Sequence, residues 1–486
     1  MLACFHRLVW FPAVACGFLL GATGANAAVE ISSKPTSGMS CASGVCAPTA
    51  KNAVLSVTDL QNMLASGSLK IVTKSAGIQA KDIAVQAGFS WASGSALTLD
   101  AHDSVTINQP VSDAGTGAFK LTTNDGGSGG TLSFGSKGRV SFLGTINPLT
   151  INGNAYTLVS NIKTLASDIS ANPSGFYALA NNYDASVDGI YSSSPIQTTL
   201  TGTFEGLGSR ISNLTIRDST DNSQDGLFLQ IGSGATVMHV ALNAVRITGR
   251  GRGLVGSMAA LNNGTLLEVH TDGAFDGGGA TGGLVGVNGG TIAKCDSHAK
   301  IRQTMRGVSG GGLAGGNSGT ISESFATGSI VQKKGGRGHG SSGGGLVGVN
   351  INTIVNSYAS AHVEDDQIGY VGGLIGFDEI DIAHGYVAQS YATGIVSARP
   401  GSNSGGLIGY DTSGDNLSYT YWDTTTSGIA NAAQCAGNVS NDPGCTGMTS
   451  AELQAGLPAG FNSAVWGENA NINGGLPYLL AWPPPK

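Results

Sequence analysis

A chain of 486 residues with 77 glycines, 11% charged and 6% aromatic residues favours turns and small stacked side chains over a helical globule. Few charges and a mean hydropathy of +0.09 exclude a disordered chain, which combines high charge with low hydrophobicity. The net charge of −7 argues against general nucleic-acid affinity, so nucleic acid is not an expected partner.

Residues 1–27 read as a secretory signal peptide. His6 and Arg7 lie near the start, an apolar run extends from Leu8 to Leu20, and Ala25-Asn26-Ala27 offers a small-x-small cleavage site. Pro12 and Gly17 break that run, which is too short to span a bilayer; a lipoprotein alternative would use Cys16. The expected location is secreted or at the outer cell surface of a Gram-negative type of cell. Disulfides persist there, and Cys41/Cys46 and Cys435/Cys445 form local pairs that read as disulfide candidates. Neither pair has the histidines or second cysteine pair of a zinc site.

A segment at 28–68 holds the first cysteine pair and a short helix. Thr58 precedes Asp59-Leu60-Gln61-Asn62-Met63-Leu64, whose apolar residues have helical spacing, and Gly67 stops it. From Leu69 to Thr157 short alternating runs such as Leu97-Thr98-Leu99 and Val105-Thr106-Ile107 predict many short strands with tight turns. Between Asn161 and Gly175 the period becomes helical, with Ile162, Leu165, Ala166 and Ile169 on one face. Strand-like spacing returns at Phe176-Tyr177-Ala178-Leu179, so 69–245 is predicted as strand turns with a helical insertion.

From 246 to 425 the chain repeats itself. Gly282-Gly283-Leu284-Val285-Gly286 recurs as Arg252-Gly253-Leu254-Val255-Gly256 and around Leu313, Leu346, Leu374 and Leu407, with the leucines 28 to 33 residues apart. Such periods mark a stacked-repeat architecture. A second apolar anchor follows eight residues after the leucine, as Ile292, Ile321 and Ile354, and a small residue three beyond that, as Cys295, Ser324 and Ser357. Each repeat therefore holds about three short strands, enough for one turn of a parallel β-helix with leucine on leucine at the strand spacing of about 4.8 Å. In a column of serines, Cys295 reads as a ladder residue rather than a reactive thiol. After the aromatic run Leu417-Ser418-Tyr419-Thr420-Tyr421-Trp422-Asp423, the segment 426–486 has a capping box at Thr449-Ser450-Ala451-Glu452. It is predicted to cover the last turn, whose open strand edge otherwise invites aggregation.

The pattern Gly-Gly-Leu-Val-Gly…Thr-Ile…Ser-Tyr-Ala, seen best at Gly344–Ala359 and Gly372–Gly394, resembles the GLUG-motif repeats of bacterial surface exoproteins. The preceding region, with Asp59-Leu60, Ile83…Trp91, Leu97-Thr98-Leu99, Phe176-Tyr177-Ala178-Leu179 and Phe204-Glu205-Gly206…Ile211-Ser212-Asn213-Leu214, resembles filamentous-haemagglutinin-like exoproteins of two-partner secretion. The resemblance covers roughly 55–482. It implies an all-β, right-handed parallel β-helix with an adhesin-like role toward glycans or cell-surface receptors, and export by an outer-membrane two-partner transporter. It carries over no catalytic residues. The family's long amino-terminal secretion domain is not recognised upstream of these segments, nor is a carboxy-terminal membrane barrel.

Three groups of residues invite a chemical reading. Gly251–Gly256, Gly310–Gly315 and Gly343–Gly348 match GxGxxG, but a dinucleotide fingerprint needs a following helix, and strand-like runs follow here. No cofactor is therefore expected. A carbohydrate-active β-helix enzyme, the alternative to a binding protein or a structural stalk, needs converging acids; Asp365-Asp366, with Arg399 about one turn on, is the candidate pair, while Asp272 and Asp276 lie three turns away by repeat count. Adjacent strand residues face opposite ways, which disfavours the pair, and the expectation is a chain that is not an enzyme. The third group is basic: Arg246, Arg250 and Arg252; Lys300, Arg302 and Arg306; Lys333, Lys334 and Arg337. All precede a glycine pair, so stacking predicts a cationic stripe suited to acidic glycans. Charge reversal at Arg302, Lys333 and Lys334 is expected to weaken binding to sulfated or uronic-acid glycans; unchanged binding on a glycan array removes the stripe from the argument.

Overall fold

The computed structural model describes residues 27–305, 307–333, 339–379, 385–412, 414 and 416–484. The signal-peptide reading, apart from Ala27, and Arg306, Lys334 and Arg337 lie outside the described residues. The chain winds into a parallel β-helix of about 13 turns and is only 7% helical, as the glycine content and the repeats predict. In the repeat half one sheet runs in seven strands from Gln224–Asp225 to Asn403–Gly405. A second runs in seven from Phe228–Ile231 to Ile408–Asp411. Longer strands such as Thr265–Gly277 and Asp296–Gln303 form the third side.

The glycine pair makes the corner between the first two sheets. A Cβ on Gly283 would lie 2.0 Å from Ser297 Oγ and 2.3 Å from the Gly312 carbonyl, so the two backbones approach closely only without a side chain. The leucine that follows points inward and is fully buried. Leu284, Leu313, Leu346, Leu374 and Leu407 stack in one row, each N–H donating to the next carbonyl at 2.9 to 3.1 Å, and Cys435 ends the row.

One assignment in that row is corrected. Leu254 pairs with Ala280, in the first sheet, and the counterpart of Leu284 is Met258, whose N–H donates to the Leu284 carbonyl at 2.9 Å. The sequence Arg252-Gly253-Leu254-Val255-Gly256 imitates the corner motif four residues early. Gly256 is the true partner of Gly282, because burial selects the apolar Met258 for the interior while Leu254 is half-buried.

The serine column stands as predicted. The backbone N–H of Cys295 donates to Ser324 Oγ at 3.1 Å, Ser324 to Ser357 Oγ at 3.3 Å and Ser357 to Ser390 Oγ at 3.1 Å. Thr420 and Cys445 continue it. The Cys435–Cys445 disulfide thus joins the last member of the leucine row to the last member of the serine column. Cys41–Cys46 bridges a hairpin of Met39–Ala42 and Val45–Pro48. Cys295 is free and buried, and burial pushes its thiol far above the usual range, as a ladder role requires.

The helices fall where periodicity places them. Helix α1 (Val57–Ser66) buries Leu60 and Leu64 and stops at Gly67; its cap is Ser56, not Thr58, because the Ser56 hydroxyl accepts from Thr58 N. Helix α2 (Ile162–Ala171), capped by Asn161, buries Ile162, Leu165 and Ile169. Helix α3 (Ser450–Leu453) carries the capping box of Thr449 and Glu452. The segment after α3 does not simply close the last turn. It folds back along the outside of the coil, where the rings of Phe325, Tyr358 and Tyr391 stack and Tyr421 follows in register. Phe461, Trp466 and Leu479 bury that column, which would otherwise be a large exposed apolar stripe.

Inside the coil a polar row balances the apolar ones. Asn262, Asn288, Asn317 and Asn350 each donate from Nδ2 to the next side chain, ending on Asp378 Oδ1, at 2.7 to 2.9 Å. Burial first, and then the charges of Asp411 and Asp442, push Asp378 up to about 7 against the hydrogen bonds from Asn350 and Asn416. Its folded pKa is thus above the ordinary value, so stability is present at low pH and lost as pH rises from about 4 through 7. Asp378→Asn, which extends the amide ladder, is expected to match the wild type at pH 4 and to exceed it by on the order of 2 kcal/mol at pH 8 in denaturant unfolding.

Candidate functional site

The described members of the predicted basic stripe, Arg246, Arg250, Arg252, Lys300, Arg302 and Lys333, do not form one column. Arg246 and Lys300 share a column but Ala274 separates them, and Ser329 and His362 follow. Arg302 lies in the next outward column between Asp276 and Val331. Lys333 is held by Glu364 at 2.5 Å and Asp366 at 3.2 Å, and Arg250 faces the exposed Asp221 at 3.8 Å. Arg252 uses its backbone N–H on Asn222. Cations stacked at strand spacing repel one another, and the columns accordingly interleave them with neutral or acidic residues. The acid pair divides as strand alternation dictates. Asp365 points inward and accepts from Ser341 and from the Gln367 N–H, while Asp366 faces Lys333.

The titratable groups that do converge lie on another flank. His239, Glu268, Lys294 and Glu323 stand on consecutive turns at one corner, each with left-handed backbone of φ between 46° and 53°. Non-glycine residues in that region cost about 1 kcal/mol or more each, and here the column alternates in charge. His239 is buried, with Nδ1 2.9 Å from Glu205 Oε2 and Nε2 3.6 Å from Glu268 Oε2. Burial opposes its charged form, but Glu205 and Glu268 outweigh this and hold its pKa above the ordinary value. Burial likewise raises Glu268, against the pull of His239 and Lys294.

Two residues past that corner is a second cluster. His270 pairs in register with Asp296, and Asp272 with His298, so His-x-Asp on one strand lies over Asp-x-His on the next, all four facing outward. His270 Nδ1 is 2.7 Å and His298 Nε2 3.0 Å from Asp296 Oδ2. Asn243 and the Ala244 N–H hold Asp272 at 2.8 and 2.6 Å. Burial would raise Asp296, yet the hydrogen bonds from His270 and the Trp482 indole, with the His298 ring beside it, keep it low. The returning tail closes the site from outside: Trp482 Nε1 donates to Asp296 Oδ1 across 186 residues of sequence. Between flank and tail lies a cavity of about 770 Å³, lined among others by Phe134, His239, Glu268, His270, Asp296 and Trp482.

Sequence reasoning missed this site, having singled out only Asp272 from it. Its one signal was that His239, His270 and His298 recur 31 and 28 residues apart, about one repeat each. The rest of the lining comes from the end of a strand at Phe134 and a tail at Trp482, which no local motif connects.

No family model matches the chain. Over 142 residues, 29% of this chain and 1% of the other, it is 32% identical to halomucin of Haloquadratum walsbyi. Among solved structures it is similar to an IgA1 protease, with a TM-score of 0.38 and 24% identity over 53% of this chain and 20% of that one. It is also similar to a candidate immunoglobulin A1 protease from Bacteroides ovatus, with a TM-score of 0.44 and 18% identity over 67% of this chain and 93% of that one. The chain thus spans a small part of halomucin and of the first protease. These matches correct the expectation of a chain that is not an enzyme: structures with protease names are among those it is similar to, and the non-catalytic reading is withdrawn. They assign it no reaction and no residue.

Because His239 has a raised pKa, its interaction with Glu205 is fully present below the ordinary histidine value of about 6.5 and is lost as pH rises through the folded value. His239→Gln is expected to lower stability by on the order of 3 kcal/mol at pH 6 and by less at pH 9, measured as paired denaturant unfolding curves.

Proposed function

We propose that the chain is a secreted or cell-surface β-helical protein that binds glycans, in an adhesin-like role, in the cavity between its flank and its returning tail. The observation that carries this reading is the cavity lining: Phe134 and Trp482 supply aromatic surface, and Glu268, Asp296 and His270 supply hydrogen-bonding groups. Aromatic rings cover the C–H face of a sugar while carboxylates accept from its hydroxyls, the mixture of apolar wall and few placed polar groups typical of ligand sites. The carboxylates favour neutral or amino sugars over acidic ones. This differs from the acidic glycans matched to the basic stripe, whose cations lie apart.

Residues 1–27 as a signal peptide and the similarity to halomucin, a protein named as a mucin, support a place outside the cell. The likeness of the repeats to GLUG motifs supports export by a two-partner transporter. A second reading, carbohydrate cleavage at the same cavity, is favoured by Glu268 and Asp296 lining it together, since glycoside chemistry uses two carboxylates.

The test is a glycan array probed with the full chain, followed by reducing-end release from every glycan bound. Expected is binding to neutral or amino sugars, little changed by salt, and weakened at least tenfold by Trp482→Ala and by Glu268→Gln. No binding at any salt, or binding to acidic glycans alone with both variants unaffected, overturns the proposal. Reducing ends whose release is lost in Glu268→Gln establish the second reading.

A further inference from the structure

We propose that His270, Asp296 and His298 form a binding site for one divalent first-row transition ion of the zinc class. The inference does not depend on the glycan reading, since metal uptake is measured without any sugar. It rests first on the juxtaposition of ligands: one ligand atom from each of the three residues lies within 4.8 Å of the others. Both imidazoles address the same carboxylate oxygen, at 2.7 and 3.0 Å. Ligand atoms around a tetrahedral zinc, at about 2.0–2.2 Å from the ion, stand about 3.4 Å apart. Movements of under about 1 Å therefore turn this cluster into a coordination shell.

The second support is a nitrogen without an aligned partner. His298 Nε2 is buried, and although it lies 3.0 Å from Asp296 Oδ2 it makes no hydrogen bond of proper geometry. It stands beside the Asp296 carboxylate oxygen that His270 Nδ1 also addresses. The third is the surrounding shell, which already has the form that metal ligands need. His298 Nδ1 is engaged by Thr327 Oγ1, which fixes the ring and leaves Nε2 for an ion. Asp296 Oδ1 is held by the Trp482 indole, which leaves Oδ2 for the ion. Asp272 stands 3.9 Å behind His270 Nε2 and is itself clamped by Asn243 and Ala244.

Two imidazoles and one carboxylate select zinc, cobalt, nickel or copper over calcium or magnesium, which prefer all-oxygen shells. Three protein ligands leave a further position open, and it faces the cavity, because His270 and Asp296 both line that space. A small-molecule oxygen or nitrogen entering the cavity completes the shell.

The experiment titrates Zn²⁺ and Co²⁺ into the full chain, freed of metal, against a chromophoric chelator. Expected is one ion per chain, excluded calcium and magnesium, and an affinity lowered at least tenfold in His298→Gln and in Asp296→Asn. His102→Gln, at the separate His102–Asp103 pair, leaves the affinity unchanged. Melting curves check that the variants fold. A measurement on the wild type alone guards against a folding defect: Co²⁺ shifts or broadens the ring resonances of two histidines, those that disappear from the spectra of His270→Gln and His298→Gln. Competition by calcium at equal concentration, no ion retained against the chelator, or unchanged affinity in both ligand variants overturns the proposal. Glycan binding that fails while one ion is retained leaves the metal site standing and removes only the glycan reading.

Discussion

Each strand of the coil lies on the corresponding strand of the turn before it in parallel register, so every side chain has its counterpart about 4.8 Å away. That spacing is what the rest of the molecule obeys. Apolar residues gain from stacking on themselves, which produces the row from Leu284 to Leu407 and the rings from Phe325 to Tyr421. Amides gain as well, because each offers a donor and an acceptor, and Asn262 to Asn350 form a closed relay. Like charges do not gain. The column of His239, Glu268, Lys294 and Glu323 alternates and that of Arg246 and Lys300 is interrupted, and where two acids do stack, Asp378 on Asp411, Asp378 is pushed up to about 7.

A coil built this way has two open ends and an exposed flank. At the first end Ala28–Ser32 is inserted between Ala53–Ser56 and Asp82–Val85, and α1 follows the terminal strand with Leu60 and Leu64 buried. At the other end Cys435 and Cys445 take over the leucine and serine columns and lock them together. The flank is a different case: a column of four aromatic residues, three of them with stacked rings, faces outward, and the tail after α3 buries it. Tyr391 and Asn473 meet the Pro477 carbonyl there, and Trp466 reaches Asn356.

The coil was legible because it is periodic. Leu284, Ile292 and Cys295 carry their spacing forward, and the column of Cys295 with Ser324, Ser357 and Ser390 could be aligned by counting. Counting failed at Leu254, where a motif of the right letters sits four residues from the right place; only the burial of Met258 separates the two. It failed again for the basic groups, since Asp276, Glu364 and Asp366 occupy neighbouring turns that a search for cations passes over. The candidate site was least legible. His239 sits at the corner, His270 two positions past it and His298 two further, so no fixed offset in the repeat marks them, and Trp482 arrives from outside the repeats altogether.

The tail therefore has two attachments of different kinds. Along most of its length it is held by apolar burial against Phe325, Tyr358 and Tyr391, which does not respond to charge. Near its end Trp482 packs against the same cluster and its indole donates to Asp296, beside His270 and His298, a polar contact whose strength depends on the charge of that carboxylate. An occupant that engages Asp296 only when Trp482 is in place tightens the tail, and by reciprocity the docked tail tightens the occupant. That indole contact lies where Trp482, Pro483 and Pro484 line the cavity, apart from the Phe461 and Trp466 anchors that bury the aromatic column.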